Sequence, residues 1–269
     1  ENWEQEVGQH MTSSGLGQLI RLYGSATSAR KRTGAIGLDT EAGADLLDLD
    51  FLIEATKQGH GHSFWVLTTY TTLTNYQHSL GRIPFSVAVF DEIQAMKNPG
   101  SLRARAGTAM NADFKIGLTG TPIENSTNDL WAILDQISPG RMVPLTKFRQ
   151  EFSAPNAEKL LALYELIFQE IDGLPPMALR RLKDDVATDL PKKTRMIHAL
   201  GMPEKQAVIY EEARKSLIAG KKGAALKVLH HIRSVSVHPD ISADVTSSDY
   251  IGLSARLKST FDILDAIKT

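Results

Sequence analysis

Val87-Ala88-Val89-Phe90-Asp91-Glu92-Ile93-Gln94 sets the fold class, and Gly117-Leu118-Thr119-Gly120-Thr121-Pro122 repeats its design a short distance downstream. In each, a short apolar run (87–90, then 116–118) reads as a buried parallel strand that ends abruptly in polar residues. Ligands of an open α/β sheet sit outside the carboxyl ends of such strands. The two ends therefore present an acidic pair and a Thr-Gly-Thr loop to one crevice. Adjacent carboxylates at a strand end suit a hydrated Mg²⁺, which keeps most of its waters and takes only one or two protein oxygens. That is the half of a nucleoside-triphosphate site that holds metal and activates water. An isolated Asp-Glu after an apolar run can also be a plain loop cap, and the Thr-Gly-Thr-Pro loop is what argues for the site.

Outward from this pair, the style of the chain changes near residue 125. Before it, short β-type runs (18–22, 64–69, 86–90, 115–119) alternate with Gly-rich turns, as in βαβ units. The segment 31–62 is poorly patterned and carries Gly-His-Gly-His at 59–62. After 125, helical periodicity dominates. Ser126-x-x-Asp129 offers a capping box for a helix whose Leu130, Ile133, Leu134 and Ile137 fall on one stripe, and Ser138-Pro139-Gly140 ends it. Further helices are expected at 156–172, 176–187 and 203–219, the last with Pro203 suited to its first turn and Gly220 to its stop. Two more are expected at 223–235 and 254–268, with Leu257, Phe261, Leu264 and Ile267 as a buried stripe. One β-type run, Arg195 to Leu200, interrupts them.

Composition fits a soluble domain. With 269 residues and 42% hydrophobic content, the chain holds one large domain or two modest ones. A net charge of −1 gives no global basic field, so any DNA contact must use a local face. Zero cysteines excludes disulfides and thiolate metal sites and suits a reducing cytoplasm. The sequence has no signal-like start and no apolar run long enough to span a bilayer. His60-x-His62 and His230-His231 lack a cysteine or carboxylate cluster at ligand spacing, which favours surface or packing roles.

The motifs resemble a family. Asp91-Glu92-Ile93-Gln94 is similar to the DExx box of superfamily II helicase-like ATPases, and Leu118-Thr119-Gly120-Thr121-Pro122-Ile123-Glu124-Asn125 to their third motif, in the spelling of the Swi/Snf branch of DNA translocases. Other elements of that branch follow in order. Asn2-Trp3 with Glu6 resembles Asn-Trp-x-x-Glu, Tyr23-Gly24 a Tyr-Gly turn, and Thr68-Thr69-Tyr70 a Thr-Thr-Tyr strand end. Leu179-Arg180-Arg181 with Leu190-Pro191-Lys192-Lys193-Thr194 resembles Leu-Arg-Arg…Leu-Pro-x-Lys, and His238-Pro239 a His-Pro that terminates a helix. Each element is weak alone; the ordered set spans nearly the whole chain.

The resemblance implies an α/β fold: part of a RecA-like (P-loop NTPase) lobe with a parallel sheet over 1–190, carrying a Swi/Snf-type helical insertion. A mostly helical bridge toward a second lobe would occupy 191–269. No G-x-x-x-x-G-K-[ST] occurs: the only Gly-Lys, Gly220-Lys221, has Lys215 and Lys222 where glycine and hydroxyl belong. In the family the phosphate loop precedes the Asn-Trp segment, so the chain reads as a fragment of a motor and is expected to be inactive alone. A stand-alone protein with a degenerate site is the alternative. The implied cofactors are ATP and Mg²⁺, and the implied partner is double-stranded DNA with its bound proteins.

By the same resemblance, Asp91 would hold Mg²⁺ through water, Glu92 would orient and deprotonate the attacking water, and Thr119, Gly120 and Thr121 would face the nucleotide. Gln94 stands where many members have histidine; its amide can still donate and accept toward Thr119 or Thr121 but cannot titrate. Thr68, Thr69 and Tyr70 would touch DNA phosphates, with Lys97, Asn98, Arg180 and Arg181 as further contacts, positioning the duplex without reading sequence. The plain alternatives are a β-prone strand for 68–70 and a solvated helix face for Arg180, Arg181 and Lys183, paired with Asp184 and Asp185. A restriction-type or RNA-directed motor, or a non-catalytic DNA- or protein-binding scaffold, are the competing functions. No membrane association is expected; the parent would lie with the nucleoid in a bacterium or in the nucleus of a eukaryote. Loss of the strand that flanks 115–119 in a full lobe would leave that strand as a sheet edge open to self-association.

Overall fold

The computed structural model describes residues 2–11, 16–171, 173–187, 189–191, 194–218, 225–240 and 249–268. Outside them lie Gly220 with Lys221 and Lys222, Lys192 and Lys193, the end of the expected 156–172 helix, the start of the 223–235 helix, and the side chains of Lys183 and Asp184. The chain divides into two units, Glu1–Val186 and Ala187–Thr269.

Among its described residues the first unit carries the strands β1 (Gln18–Leu22), β2 (Phe64–Thr68), β3 (Phe85–Phe90) and β4 (Ala112–Gly117). β1 pairs parallel with β2 from Gln18↔Phe64 to Leu22↔Thr68, and β3 parallel with β4 from Phe85↔Ala112 to Phe90↔Gly117. Parallel neighbours need a crossover connection. The first crossover includes the helix Asp50–Lys57 and the second the helix Leu102–Thr108. Lys115 of β4 donates to the last carbonyls of that second helix, Gly107 O (3.2 Å) and Thr108 O (3.1 Å). The α/β class and its parallel pairing are as the sequence predicts. The sheet consists of two separate two-stranded ladders.

Ile20 and Leu22 of β1, Phe90 of β3, and Ile93, Met96, Leu73, Leu80 and Ile133 form one buried cluster. The apolar run of β3 is only half buried. Phe90 faces the core, but Val87 and Val89 are 50% and 47% exposed, and Phe114, register partner of Val87 on β4, is 62% exposed. Among the described residues nothing covers that face, so the expectation of strands buried on both sides is corrected. The edge of β4 opposite β3 has no strand partner among the described residues.

The unpatterned segment 31–62 turns out to be core. Leu47, Leu49 and Leu52 join the same cluster. Asp39, fully buried, accepts from Leu46 N (2.8 Å) and Ser79 N (2.6 Å), while Ser79 Oγ accepts from Leu47 N (2.9 Å). A buried carboxylate is tolerable only with such donors. Arg32 and Arg82 both bridge Asp45 and Asp50 at the surface of this segment.

Helices follow residue 125. Thr127–Ile137 buries Trp131 and Leu134 with Phe148 and Phe152 of the next helix, Leu145–Phe152, and with Leu163 and Ile167 of Ala157–Phe168, while its Ile133 belongs to the cluster of β1 and β3. Its start differs from a capping box. Ser126 makes no side-chain cap bond, and Asp129 accepts from Glu124 N (3.2 Å) and Asn125 N (2.9 Å) instead. The expected helix 176–187 reduces to one turn, Lys183–Val186. Pro175-Pro176 precede it, and Leu179, Leu182 and Val186 are exposed. A short helix with no apolar face to bury does not propagate.

The second unit is built on Glu204–Ile218, Ala225–Val237 and Ala255–Lys268. Gln206, buried, donates to Val235 O (2.9 Å) and accepts from Ala255 N (3.1 Å), and Ser254 Oγ donates to Val237 O (2.5 Å). His238 follows the end of Ala225–Val237 and stacks on Tyr250 with ring centroids 3.9 Å apart. Two expectations fail here. Arg195–Leu200 is not a strand; Ile197 is 95% exposed, and an apolar alternation without a neighbouring strand has nothing to pair with. Of the 257–261–264–267 stripe, Leu257 is half-buried, and Phe261, Leu264 and Ile267 are exposed. No helix among the described residues is long and apolar enough to cross a membrane.

Candidate functional site

Two strand ends meet through their backbones. Leu118 N donates to Phe90 O (2.9 Å) and Ile93 N to Leu118 O (3.0 Å), so the chain leaving β3 and the chain leaving β4 stay side by side past the ladder. Gly117 permits this approach: a Cβ there would lie 2.7 Å from Ile93 Cδ1 and 3.3 Å from Ile137 Cγ2. Ile93 and Met96 are fully buried in the single 3₁₀ turn Ile93–Met96. Their burial turns Gln94 toward the Thr-Gly-Thr loop.

The side chains then form one chain of hydrogen bonds. Gln94 Nε2 donates to Glu92 Oε2 (2.6 Å), Thr119 Oγ1 donates to Gln94 Oε1 (2.6 Å), and Thr121 N donates to Thr119 Oγ1 (3.0 Å). The carboxamide thus uses both its donor and its acceptor: its contact with Thr119 is the one expected from the sequence, while its donor turns back to Glu92 and not to the Thr-Gly-Thr loop. Glu92 sits at φ 50°, ψ 49°, the only non-glycine positive φ among the described residues. Such a conformation costs on the order of 1 kcal/mol and concentrates at functional sites.

Asp91 is held from several directions. Its Oδ1 accepts from Glu92 N (3.0 Å), its Oδ2 from the Trp3 indole N–H (3.0 Å), and its main-chain carbonyl from the Tyr70 hydroxyl (2.7 Å). Burial, and the negative charge of Asp91 beside it, push the Tyr70 hydroxyl above its ordinary pKa. Arg103 lies over the Tyr70 ring, 5.6 Å from its centroid. Glu4, next to Trp3, accepts from Arg21 (2.9 and 2.5 Å) and from the Tyr23 hydroxyl (2.9 Å). The Arg21 and Tyr23 hydrogen bonds hold the Glu4 carboxyl down at about 2. Glu6, the acidic residue singled out in the Asn-Trp-x-x-Glu pattern, lies 3.2 Å from His10 of its own helix.

The donor set fits magnesium. Asp91 and Glu92 offer hard carboxylate oxygens, both are exposed, and each carboxylate keeps acceptor sites beyond the bonds described. Two carboxylates are too few to enclose an ion but enough for one that retains its water. An open cleft beside them is lined by Glu92, Gln94, Lys97, Asn98, Arg103 and Glu124.

The residues assigned to DNA are mostly engaged within the chain. Thr68 Oγ1 donates to Leu22 O (2.8 Å), Thr69 Oγ1 donates to Thr72 Oγ1 (3.1 Å) and accepts from Thr72 N (3.2 Å), and Tyr70 donates to Asp91. A phosphate would have to draw those hydrogens from their present acceptors. Lys97 is ion-paired with Glu124, which raises its pKa. Asn98 Oδ1 accepts from Gly100 N (3.1 Å). Arg180 and Arg181 are exposed in irregular chain, not on a helix face, and among the described residues no hydrogen bond joins them to the Asp91–Thr121 group. Sequence reasoning gave no role to Trp3, Glu4 or Arg103, and set Tyr70 against DNA alone. The Asn-Trp and Thr-Thr-Tyr resemblances marked two of these four residues, Trp3 and Tyr70, but nothing in the sequence showed that both converge on Asp91.

The sequence pattern of the SNF2-related domain matches residues 1–241. The Zorya protein ZorD of Escherichia coli is 32% identical over 260 residues, covering 90% of this chain and 23% of that protein. The DNA repair and recombination protein RAD26 of Saccharomyces cerevisiae is 31% identical over 189 residues, covering 65% and 17%. The chain thus spans less than a quarter of the length of these relatives. Among solved structures, the Sulfolobus solfataricus SWI2/SNF2 ATPase core in complex with dsDNA is 23% identical with a TM-score of 0.49, over 98% of this chain and 50% of that one. With residues 1–241 matched, this chain belongs to the SNF2-related domain family.

Proposed function

We propose that this chain is part of the motor of an ATP-dependent double-stranded-DNA translocase, contributing the carboxylate half of its nucleotide site. The observation that carries the reading is the continuous bridge Glu92–Gln94–Thr119–Thr121, which joins the two strand ends through both ends of one carboxamide. Asp91 would hold, through water, a magnesium ion that screens the phosphate charge. Glu92 then accepts a proton from the attacking water, and the αL backbone and the Gln94 amide fix where its carboxylate points. Phosphoryl transfer depends on positioning and electrostatics, so a residue that only orients Glu92 matters for turnover. Gln94 also ties that orientation to Thr119 and Thr121, and a shift of the Thr-Gly-Thr loop would be felt at Glu92.

Duplex DNA as the track is supported by the family and by a relative named for DNA repair and recombination. The parent would act in the nucleoid of a bacterium or the nucleus of a eukaryote. Phosphate contacts would come from the segment Thr68–Tyr70 and from Lys97 once released from Glu124. The test uses the full-length parent. ATP turnover stimulated by duplex DNA, with displacement of a third strand or a bound protein and no separation of the duplex, supports the reading. Strand separation without displacement of a block points to an unwinding superfamily II motor. Absence of nucleotide binding by the parent leaves only a scaffold.

A further inference from the structure

The helix Asn2–His10 buries none of its residues. Among the described residues its side-chain ties to the rest of the chain are Trp3 to Asp91 and Glu4 to Arg21 and Tyr23. Trp3 is 37% exposed and therefore is not there to fill a core. We propose that Trp3 is a positioning residue for Asp91: its indole N–H fixes one carboxylate oxygen so that the other acceptor sites face a hydrated divalent cation.

An ionised carboxylate has about four acceptor sites on its two oxygens. Trp3 takes one on Oδ2 and Glu92 N one on Oδ1, which leaves one on each oxygen for the waters of the ion. Indole is a donor only and carries no charge. An arginine or lysine in its place would orient Asp91 equally well but neutralise the charge that attracts the metal. The Tyr70 bond to the Asp91 carbonyl fixes the main chain at the same residue, so the side chain is the remaining freedom, and Trp3 removes it. The Glu4 anchor one residue along holds the helix that presents the indole.

This inference rests on reading Asp91 as a magnesium carboxylate, and the test separates the two. The chain contains three tryptophans, Trp3, Trp65 and Trp131, so 5-fluorotryptophan labelling gives three ¹⁹F resonances. Mn²⁺ titrated in place of Mg²⁺ should broaden the Trp3 resonance at the lowest concentration. Mn²⁺ affinity, read from water-proton relaxation, should fall about tenfold or more in Trp3→Phe, the loss typical of an outer partner of a metal ligand. That variant keeps an aromatic ring while removing the indole N–H, and unchanged Trp65 and Trp131 resonances show that the fold is intact. Equal broadening of all three resonances in the unmodified chain overturns the proposal without need of a variant. Loss of Mn²⁺ binding in Asp91→Asn together with unchanged affinity in Trp3→Phe overturns it while leaving the metal reading in place. Unchanged binding in Asp91→Asn overturns both.

Discussion

Gln94→Leu isolates what the bridge between the two strand ends contributes. The substitution keeps much of the side-chain bulk and removes both 2.6 Å hydrogen bonds, one to the Glu92 carboxylate and one from the Thr119 hydroxyl. A neutral hydrogen bond is worth about 1 kcal/mol net, and one to a charged group about 1.5–3 kcal/mol. Glu92 is exposed and water competes for it, so the sum is kept to about 2 kcal/mol. If the bridge acts where Glu92 must be aligned for the attacking water, that loss corresponds to roughly 30-fold in turnover at saturating ATP and DNA. The folding stability of the chain should change by less than about 1 kcal/mol, since water replaces both partners at a partly exposed site. The assays are duplex-stimulated ATP turnover of the full-length parent and denaturant unfolding of this chain. Turnover within about threefold of wild type, a barrier change under about 0.7 kcal/mol, would refute the claim that Gln94 orients Glu92.

Three further outcomes follow from particular contacts. Gly117→Ala places a methyl 2.7 Å from the buried Ile93, and overpacking at such a site should cost about 1–3 kcal/mol in urea unfolding; an unchanged midpoint would mean the strand ends part easily. The Arg21 and Tyr23 hydrogen bonds hold the Glu4 carboxyl at about 2, below its ordinary 4.5. Its contribution is therefore complete above pH 4.5 and lost as pH falls toward 2. The thermal midpoint of wild type should exceed that of Glu4→Gln at pH 7 and converge with it near pH 2, and a gap that does not close argues against an ionised tie to Arg21. The unpaired edge of β4 should lead the chain to self-associate, and light scattering that reports only monomer at high concentration would contradict this.

What the sequence revealed and what it hid divide along a physical line. β3, β4, Gln94 and the Thr-Gly-Thr loop were legible because the signal is local: an apolar run, an abrupt polar end, and an amide two residues past a carboxylate. The Trp3–Asp91 bond joins residues 88 apart, and no periodicity encodes it. Segment 31–62 looked unpatterned because its core residues Leu47, Leu49 and Leu52 sit on an isolated bridge, at a helix cap and in the first turn of that helix, where neither the strand nor the helix period applies. The opposite error occurred at 176–187, 195–200 and along 257–267. There the apolar spacing was regular, yet spacing alone buries nothing: 176–187 keeps a single helical turn and 195–200 no strand, while 255–268 forms its helix and leaves Phe261, Leu264 and Ile267 exposed.

If Asp91 and Glu92 form the reacting half of a nucleotide site in the full-length parent, Glu92→Gln in that protein exposes it. The substitution removes the proton acceptor while leaving an amide that can still accept from Gln94. ATP affinity should be unchanged, and single-turnover hydrolysis should slow by about 10²–10⁴-fold, the usual worth of a general base. Hydrolysis at the wild-type rate, with ATP still bound, would contradict the account.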